Sequence, residues 1–140
     1  MNRTKPNFRA WREIIGLSQG DVADLVGVSV TAVKRWEHPD GPQPPDDAWE
    51  VIDQWSQLHS KAVETAIEIV EQQAEQIGEM PALVTLPYWR SQAEYDQFGR
   101  DPGFFGVINA RTRAISQELR TRGIEVEFIS HEDRGTEKDA

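Results

Sequence analysis

Four side chains within six residues, Val30, Thr31, Lys34 and Arg35, have the types and spacing to read the edges of base pairs. A valine methyl can meet the methyl of thymine, and a lysine or arginine can reach O6 and N7 of guanine. On a helix these four share one side, while Val33 and Trp36, three residues apart, fall on the other. Ser29 stands where an N-cap belongs, and a helix begun there would set its first amides on a phosphate. Catalysis finds no such constellation. The carboxylates Glu64, Glu68, Glu71 and Glu75 repeat at helical spacing as a solvated face, and His38, His59 and His131 share no metal-ligand spacing. The glycine-rich run from Gly99 to Gly106 lacks both the preceding strand and the lysine of a phosphate-binding loop. No enzyme, cofactor or metal site is expected.

The elements that must position these residues are legible around them. Ser18 precedes a helix and Asp21 stands three residues on, an acidic variant of the capping box. Val22, Ala23, Leu25 and Val26 recur at helical spacing, and Gly27 supplies the left-handed backbone that stops a helix. Ser29 then opens the second helix almost at once, and small Ala23 lets the two cross closely. Two short helices and a tight turn describe a helix-turn-helix, which offers the second helix's first residues to the major groove. A helix from about Pro6 to Ile15 comes before, with Phe8, Trp11, Ile14 and Ile15 as its apolar stripe and Phe8 and Trp11 in the core. Met1 to Lys5 reads as a mobile basic arm. After the pair, HPDGPQPPDD must be a loop.

Residues 8 to 58 resemble the phage-repressor (Cro type) helix-turn-helix family. The run FRAWREIIGLSQ is similar to that family's first helix and its Leu-Ser/Thr-Gln approach to the second, and WEHPDG is similar to its Trp-Glu-x-Gly exit. The exit here is slightly longer, through His38, Pro39, Asp40 and Gly41. The resemblance implies that Gln19 touches phosphate and that Arg12 and Glu37 form the ion pair tying the first helix to the exit. Units of this kind also serve as protein-contact modules.

The formal charge of −9 speaks against binding duplex DNA until it is divided by position. Residues 1 to 38 carry a net +2, leaving −11 for the rest, so only the N-terminal part can face phosphate. So modest a positive charge favours a dimer, which doubles the contacts. There is no cysteine, which removes disulfides, thiolate zinc sites and a cysteine nucleophile. Neither a signal peptide nor a run of 18 uncharged apolar residues is found, so a cytoplasmic protein is expected.

From Asp46 to Ile77 neither glycine nor proline occurs, which predicts one long helix, or two with a kink near His59 and Ser60. Val51, Trp55, Leu58 and Ala62 form a stripe able to pack on the N-terminal helices. Val63, Ile67, Val70, Ala74 and Ile77 then follow in a heptad seam, either for a coiled coil or for packing on the chain's own C-terminal part. Ala82 to Leu86 predicts a strand, Ser91 to Phe98 a short helix, and Asp101 and Pro102 the start of a helix ending at Gly123. IEVEFI predicts a last strand with Ile124, Val126 and Phe128 buried. Strand, helices and strand make a parallel β-α-β crossover, and two strands alone are marginal, so a second subunit is an economical cover for the edge. Arg111, Arg113, Arg120 and Arg122 form a basic cluster suited to a nucleic-acid strand, a small anion or a partner's acids.

The expected fold class is mainly α with a small α+β C-terminal part: a helix-turn-helix bundle, a long helix and a C-terminal β-α-β dimerisation domain. The boundaries are 1–58 for the DNA-binding domain, 59–78 for a connecting helix, 79–130 for the dimerisation domain and 131–140 for a disordered tail. This order of elements, with LVTLPYWRSQAEYDQF followed by a helix, resembles the anti-CRISPR-associated autorepressors of phages and their uncharacterised bacterial relatives. The resemblance implies dimerisation through the C-terminal region and binding to an inverted repeat at the protein's own promoter, in a bacterial or phage-infected cell; some relatives also bind their messenger RNA. The expected function is a dimeric sequence-specific repressor whose DNA contacts are Gln19, Ser29, Val30, Thr31, Lys34 and Arg35. The alternative is an antitoxin or adaptor whose acidic C-terminal domain, with Trp89, Phe104 and Phe105, grips a protein partner. Duplex DNA and a second copy are thus the expected partners, RNA or a protein the alternatives, and no membrane is involved.

Overall fold

The computed structural model describes residues 1–132. Among them are six helices and two strands, in the order α1 (Lys5–Ile15), α2 (Gln19–Val26), α3 (Val30–Glu37), α4 (Asp46–Ile77), β1 (Leu83–Pro87), α5 (Gln92–Phe98), α6 (Phe105–Thr121) and β2 (Glu125–Ile129). The chain is therefore mainly helical with a small parallel sheet near its C-terminal end. It divides into two compact units, Met1–Ser60 and Lys61–Ala140, and α4 contributes residues to both. No helix of the described residues is long and apolar enough to cross a membrane.

In the first unit local chemistry starts and stops the helices. Thr4, Ser18 and Ser29 each accept a hydrogen bond from the backbone N–H three residues on, and Ser18 and Asp21 complete a reciprocal capping box. Gly27 ends α2 at a φ of 81°, a conformation that a side chain would strain. The core gathers Phe8, Ile15, Leu17, Val22, Ala23, Val33, Trp36, Ala48, Trp49 and Ile52. Phe8 meets Trp49 edge-on at 5.2 Å and Trp36 at 6.3 Å, which locks α1 onto α3 and the first turn of α4.

Three sequence expectations for this unit are corrected. The buried face of α1 is Phe8, Arg12 and Ile15, not the whole apolar stripe: Ile14 is 47 % exposed and Trp11 only half-buried. The spacing of four and three that joins Phe8, Arg12 and Ile15 outranks hydrophobicity at Ile14, because Arg12 has a partner inside. On α4 the burial comes from Ala48, Trp49 and Ile52, a turn earlier than the stripe expected from Val51, and Leu58 is 46 % exposed. The basic residues expected in a free arm make contacts with the rest of the unit. Arg3 pairs with Asp46 at 2.5 Å and lies over the Trp49 ring, and Lys5 belongs to α1.

In the second unit β1 and β2 run parallel, with Leu83 opposite Glu125 and Pro87 opposite Ile129. Ile67 of α4, Leu119 of α6 and Ile124 form the buried centre, with Val70, Val84, Leu86, Ile115 and Val126 packed around it. The expected heptad seam is therefore spent largely within the chain: Ile67 and Ala74 are buried and Val70 packs on the cluster, while Ile77 stays 75 % exposed. Asp101 caps nothing. α6 begins at Phe105, and Gln92 takes the capping role by accepting from the Phe105 N–H and donating to the Gly103 carbonyl. The last strand also departs from simple alternation, since the Leu119 cluster lies against Ile124 and Val126 only; beyond it Phe128 rests edge-on against Tyr88 and is 47 % exposed, and Ile129 is buried.

Trp89 is buried, its backbone N–H and carbonyl both held by the Asn109 side chain at 2.9 and 2.8 Å, so it belongs to the core and not to a contact surface. Within the expected tail from 131, His131 stacks on Phe98 at 3.8 Å; residues 133–140 lie outside the described residues.

Candidate functional site

Helix α3 presents two unlike faces. Val33 and Trp36 are buried in the core, whereas Val30, Thr31, Lys34 and Arg35 are exposed, with Val30 at 40 %. Ser29 spends its Oγ on the Ala32 N–H at 3.2 Å, leaving the other amides of the first turn open. The partial positive charge of that end adds to Lys34 and Arg35 on the same helix.

Behind this face, a cleft of about 510 Å³ runs between α1, the start of α2 and the end of α3, lined among others by Arg9, Ser18, Gln19, Lys34 and His38. Its floor is an ion pair. Arg12 meets Glu37 through Nε at 2.7 Å and Nη2 at 2.8 Å and donates from Nη1 to the Leu17 carbonyl, so one guanidinium ties α1 to α3 and to the turn before α2. Both side chains are nearly buried, at 10 % and 6 % exposure. The Gln19 amide also donates to Glu37, at 3.3 Å. Arg9 stands on the rim, hydrogen-bonded to Glu13 at 2.8 Å. That bond raises the arginine's pKa and lowers that of the Glu13 carboxyl.

The sequence-derived residues thus divide into two groups. Arg12, Gln19, Lys34 and Glu37 share the cleft, and Ser29, Val30, Thr31 and Arg35 lie along the start and outer face of α3. Arg9 was missed, although its place three residues before Arg12 puts it on the same side of α1. Lys5 carried no local signal at all. Its Nζ donates to the carbonyls of Trp36 and Pro42, at 2.6 and 2.7 Å, and so closes the end of α3 against the following loop.

Gly41 completes that closure. A Cβ there would lie 1.8 Å from the Arg35 carbonyl oxygen, a backbone atom with little room to give. Gly41→Ala is expected to cost about 1–3 kcal/mol by overpacking, read as a lower urea midpoint for the first unit; an unchanged midpoint would mean the loop simply moves away.

The four C-terminal arginines do not act as one cluster. Arg122 is bound to Glu71 and Glu118 within the chain, hydrogen bonds that raise its pKa. Arg113 donates to the Tyr88 hydroxyl at 2.6 Å. Arg113 and Arg120 line a groove beside β2, while Arg111 is partly desolvated, which lowers its pKa. Among the described residues no group of three or more His, Cys, Asp or Glu could hold a metal ion.

No protein-family model matches this sequence, and no curated protein matches it significantly. The site is defined by its own geometry: a helix with one face anchored in a core, one polar and basic face open to solvent, and a rigid ion pair behind it.

Proposed function

We propose that the protein is a sequence-specific DNA-binding transcriptional repressor that works as a homodimer on an inverted repeat. The observation that carries this reading is the division of α3 into a buried Val33–Trp36 side and an exposed side bearing Val30, Thr31, Lys34 and Arg35. In this reading α2 and α3 are a helix-turn-helix and α3 enters the major groove, with the α2 start and Ser29 directed at phosphates. Gln19, held by Glu37, would keep its carbonyl side for other contacts and donate its second amide hydrogen to phosphate. Residues 1 to 38, which hold α1 to α3, carry +2 within a chain of −9, and that local charge supports placing DNA on these three helices, although the acids of residues 39–60 bring the whole unit to −3.

Selection from a random duplex pool tests the proposal. An inverted repeat with half-sites about ten base pairs or a multiple apart, bound at physiological salt, supports it; binding that vanishes with salt overturns it. Arg35→Ala should cost about 1–3 kcal/mol on the selected site and relax preference at one base pair per half-site. An equal loss on every sequence would make Arg35 a phosphate contact instead.

A second reading, an adaptor whose C-terminal unit grips a protein, is favoured by one observation. The groove lined by Arg113, Arg120, Val126 and Phe128 is open and has two arginines on its wall. A stoichiometric protein partner retained on purification from native cells would support it.

A further inference from the structure

The two-stranded sheet has two open edges among the described residues, and they differ in charge. In a parallel pair, alternate residues direct their N–H and carbonyl to one neighbour and the residues between them direct theirs outward. Glu125 donates to the Ala82 carbonyl and Tyr88 to the Ile129 carbonyl. With the observed register, Glu125, Glu127 and Ile129 therefore face β1, and Val126 and Phe128 present their main-chain groups at the outer edge of β2. By the same alternation Leu83, Thr85 and Pro87 present theirs at the outer edge of β1.

A second copy added at the β2 edge would pair the strands antiparallel about a two-fold axis. A register using the outward groups of both Val126 and Phe128 sets Glu127 directly against the partner's Glu127, roughly 5 Å away, a destabilising like-charge pair. The β1 edge has no charged residue. Thr85 would face the partner's Thr85 with two mutual hydrogen bonds, and the Leu83 N–H would reach the carbonyl of the partner's Pro87. Proline's missing N–H then falls at the end of the ladder, where its loss is least felt. The glutamates of the two outer strands would stand about three strand spacings, roughly 14 Å, apart, beyond the screening length at physiological salt. Apolar surface lies on the same stretch of chain: Ile77 is 75 % exposed, Met80 39 % and Leu83 45 %.

We propose that the outer edge of β1 is the homodimer interface, joining two protomers into a four-stranded sheet in the order β2, β1, β1, β2. This rests on the reading of the protein as a dimer and names the surface that makes it. The β2 edge, guarded by Glu125 and Glu127, stays open.

The test is sedimentation equilibrium of the full chain. Thr85→Pro removes an outward N–H without touching the β1–β2 ladder, and should weaken dimerisation on the order of tenfold to a hundredfold through the two lost symmetric bonds. Phe128→Pro makes the equivalent change at the β2 edge, outside the Leu119 cluster, and should leave the dimer intact. Thr85→Lys guards against a folding defect, because a lysine there lies opposite Glu127 of its own chain while facing a second lysine in the dimer. It should weaken association about fivefold, and raising the salt concentration, which screens the facing lysines, should recover part of the loss. A monomeric wild type, unaffected Thr85 variants, or dissociation by Phe128→Pro alone would overturn the proposal. A dimer that behaves as expected but selects no DNA site would leave the edge standing and remove the repressor reading.

Discussion

Replacing Arg12 by alanine is expected to destabilise the N-terminal unit by about 3–5 kcal/mol, the usual cost of removing one partner of a buried ion pair. Three groups lose their donor at once: both oxygens of Glu37 and the carbonyl of Leu17. Glu37, only 6 % exposed, would keep a single contact to Gln19 at 3.3 Å, too little to hold a carboxylate out of water. A unit of about 60 residues has total stability of the same order, so it should be largely unfolded at 37 °C. Hydrogen exchange reads this unit by unit: amides of α1, α2 and α3 should lose protection while those of α6 keep theirs. Arg12→Lys should recover only part of the loss, because an ammonium cannot form the two parallel bonds of a guanidinium. A loss below 1 kcal/mol would mean that the pair behaves as a surface pair despite its burial.

Leu119→Ala is expected to cost about 2–5 kcal/mol in the other unit. Leu119 is fully buried between Ile67 and Ile124, with Val70, Val84, Leu86, Ile115 and Val126 packed around them, so the truncation opens a cavity at the centre of the cluster. Since the sheet has only two strands, loosening this cluster should release β2 and, with it, the support of the β1 edge. The expected result is a lower thermal midpoint with dimer dissociation, while protection in α1 to α3 is unchanged. If the N-terminal amides lost protection equally, the two units would unfold as one cooperative body.

Of the proposed DNA-facing residues, the α3 group was legible because the relevant signals are local. Ser29 bonds three residues along its own chain, and the exposure of Val30, Thr31, Lys34 and Arg35 follows from the helical period once Val33 and Trp36 are inside. The Arg12–Glu37 pair, 25 residues apart, was reached only through a resemblance, since a guanidinium is read as solvent-facing by its type even where its spacing joins Phe8 and Ile15. Lys5 could not be found at all. Its acceptors are backbone carbonyls 31 and 37 residues away, and a carbonyl has no sequence identity to search for.

What the amino-acid order determined by itself is where helices begin and end, because caps and glycine stops act over three or four residues: Ser18 with Asp21, Ser29, Gly27. It also determined that two strands flank helices in the C-terminal part, and that positive charge gathers at the N-terminal end. Tertiary structure alone decided which apolar residues are inside. Ile14 and Phe128 are as hydrophobic as Ile15 and Ile129, yet the first two are exposed and the second two buried. Burial depends on what packs opposite. Arg12 takes an inward place on α1 beside Phe8 and Ile15, and the cluster around Leu119 ends before Phe128, so neither outcome is written in the periodicity of its own segment.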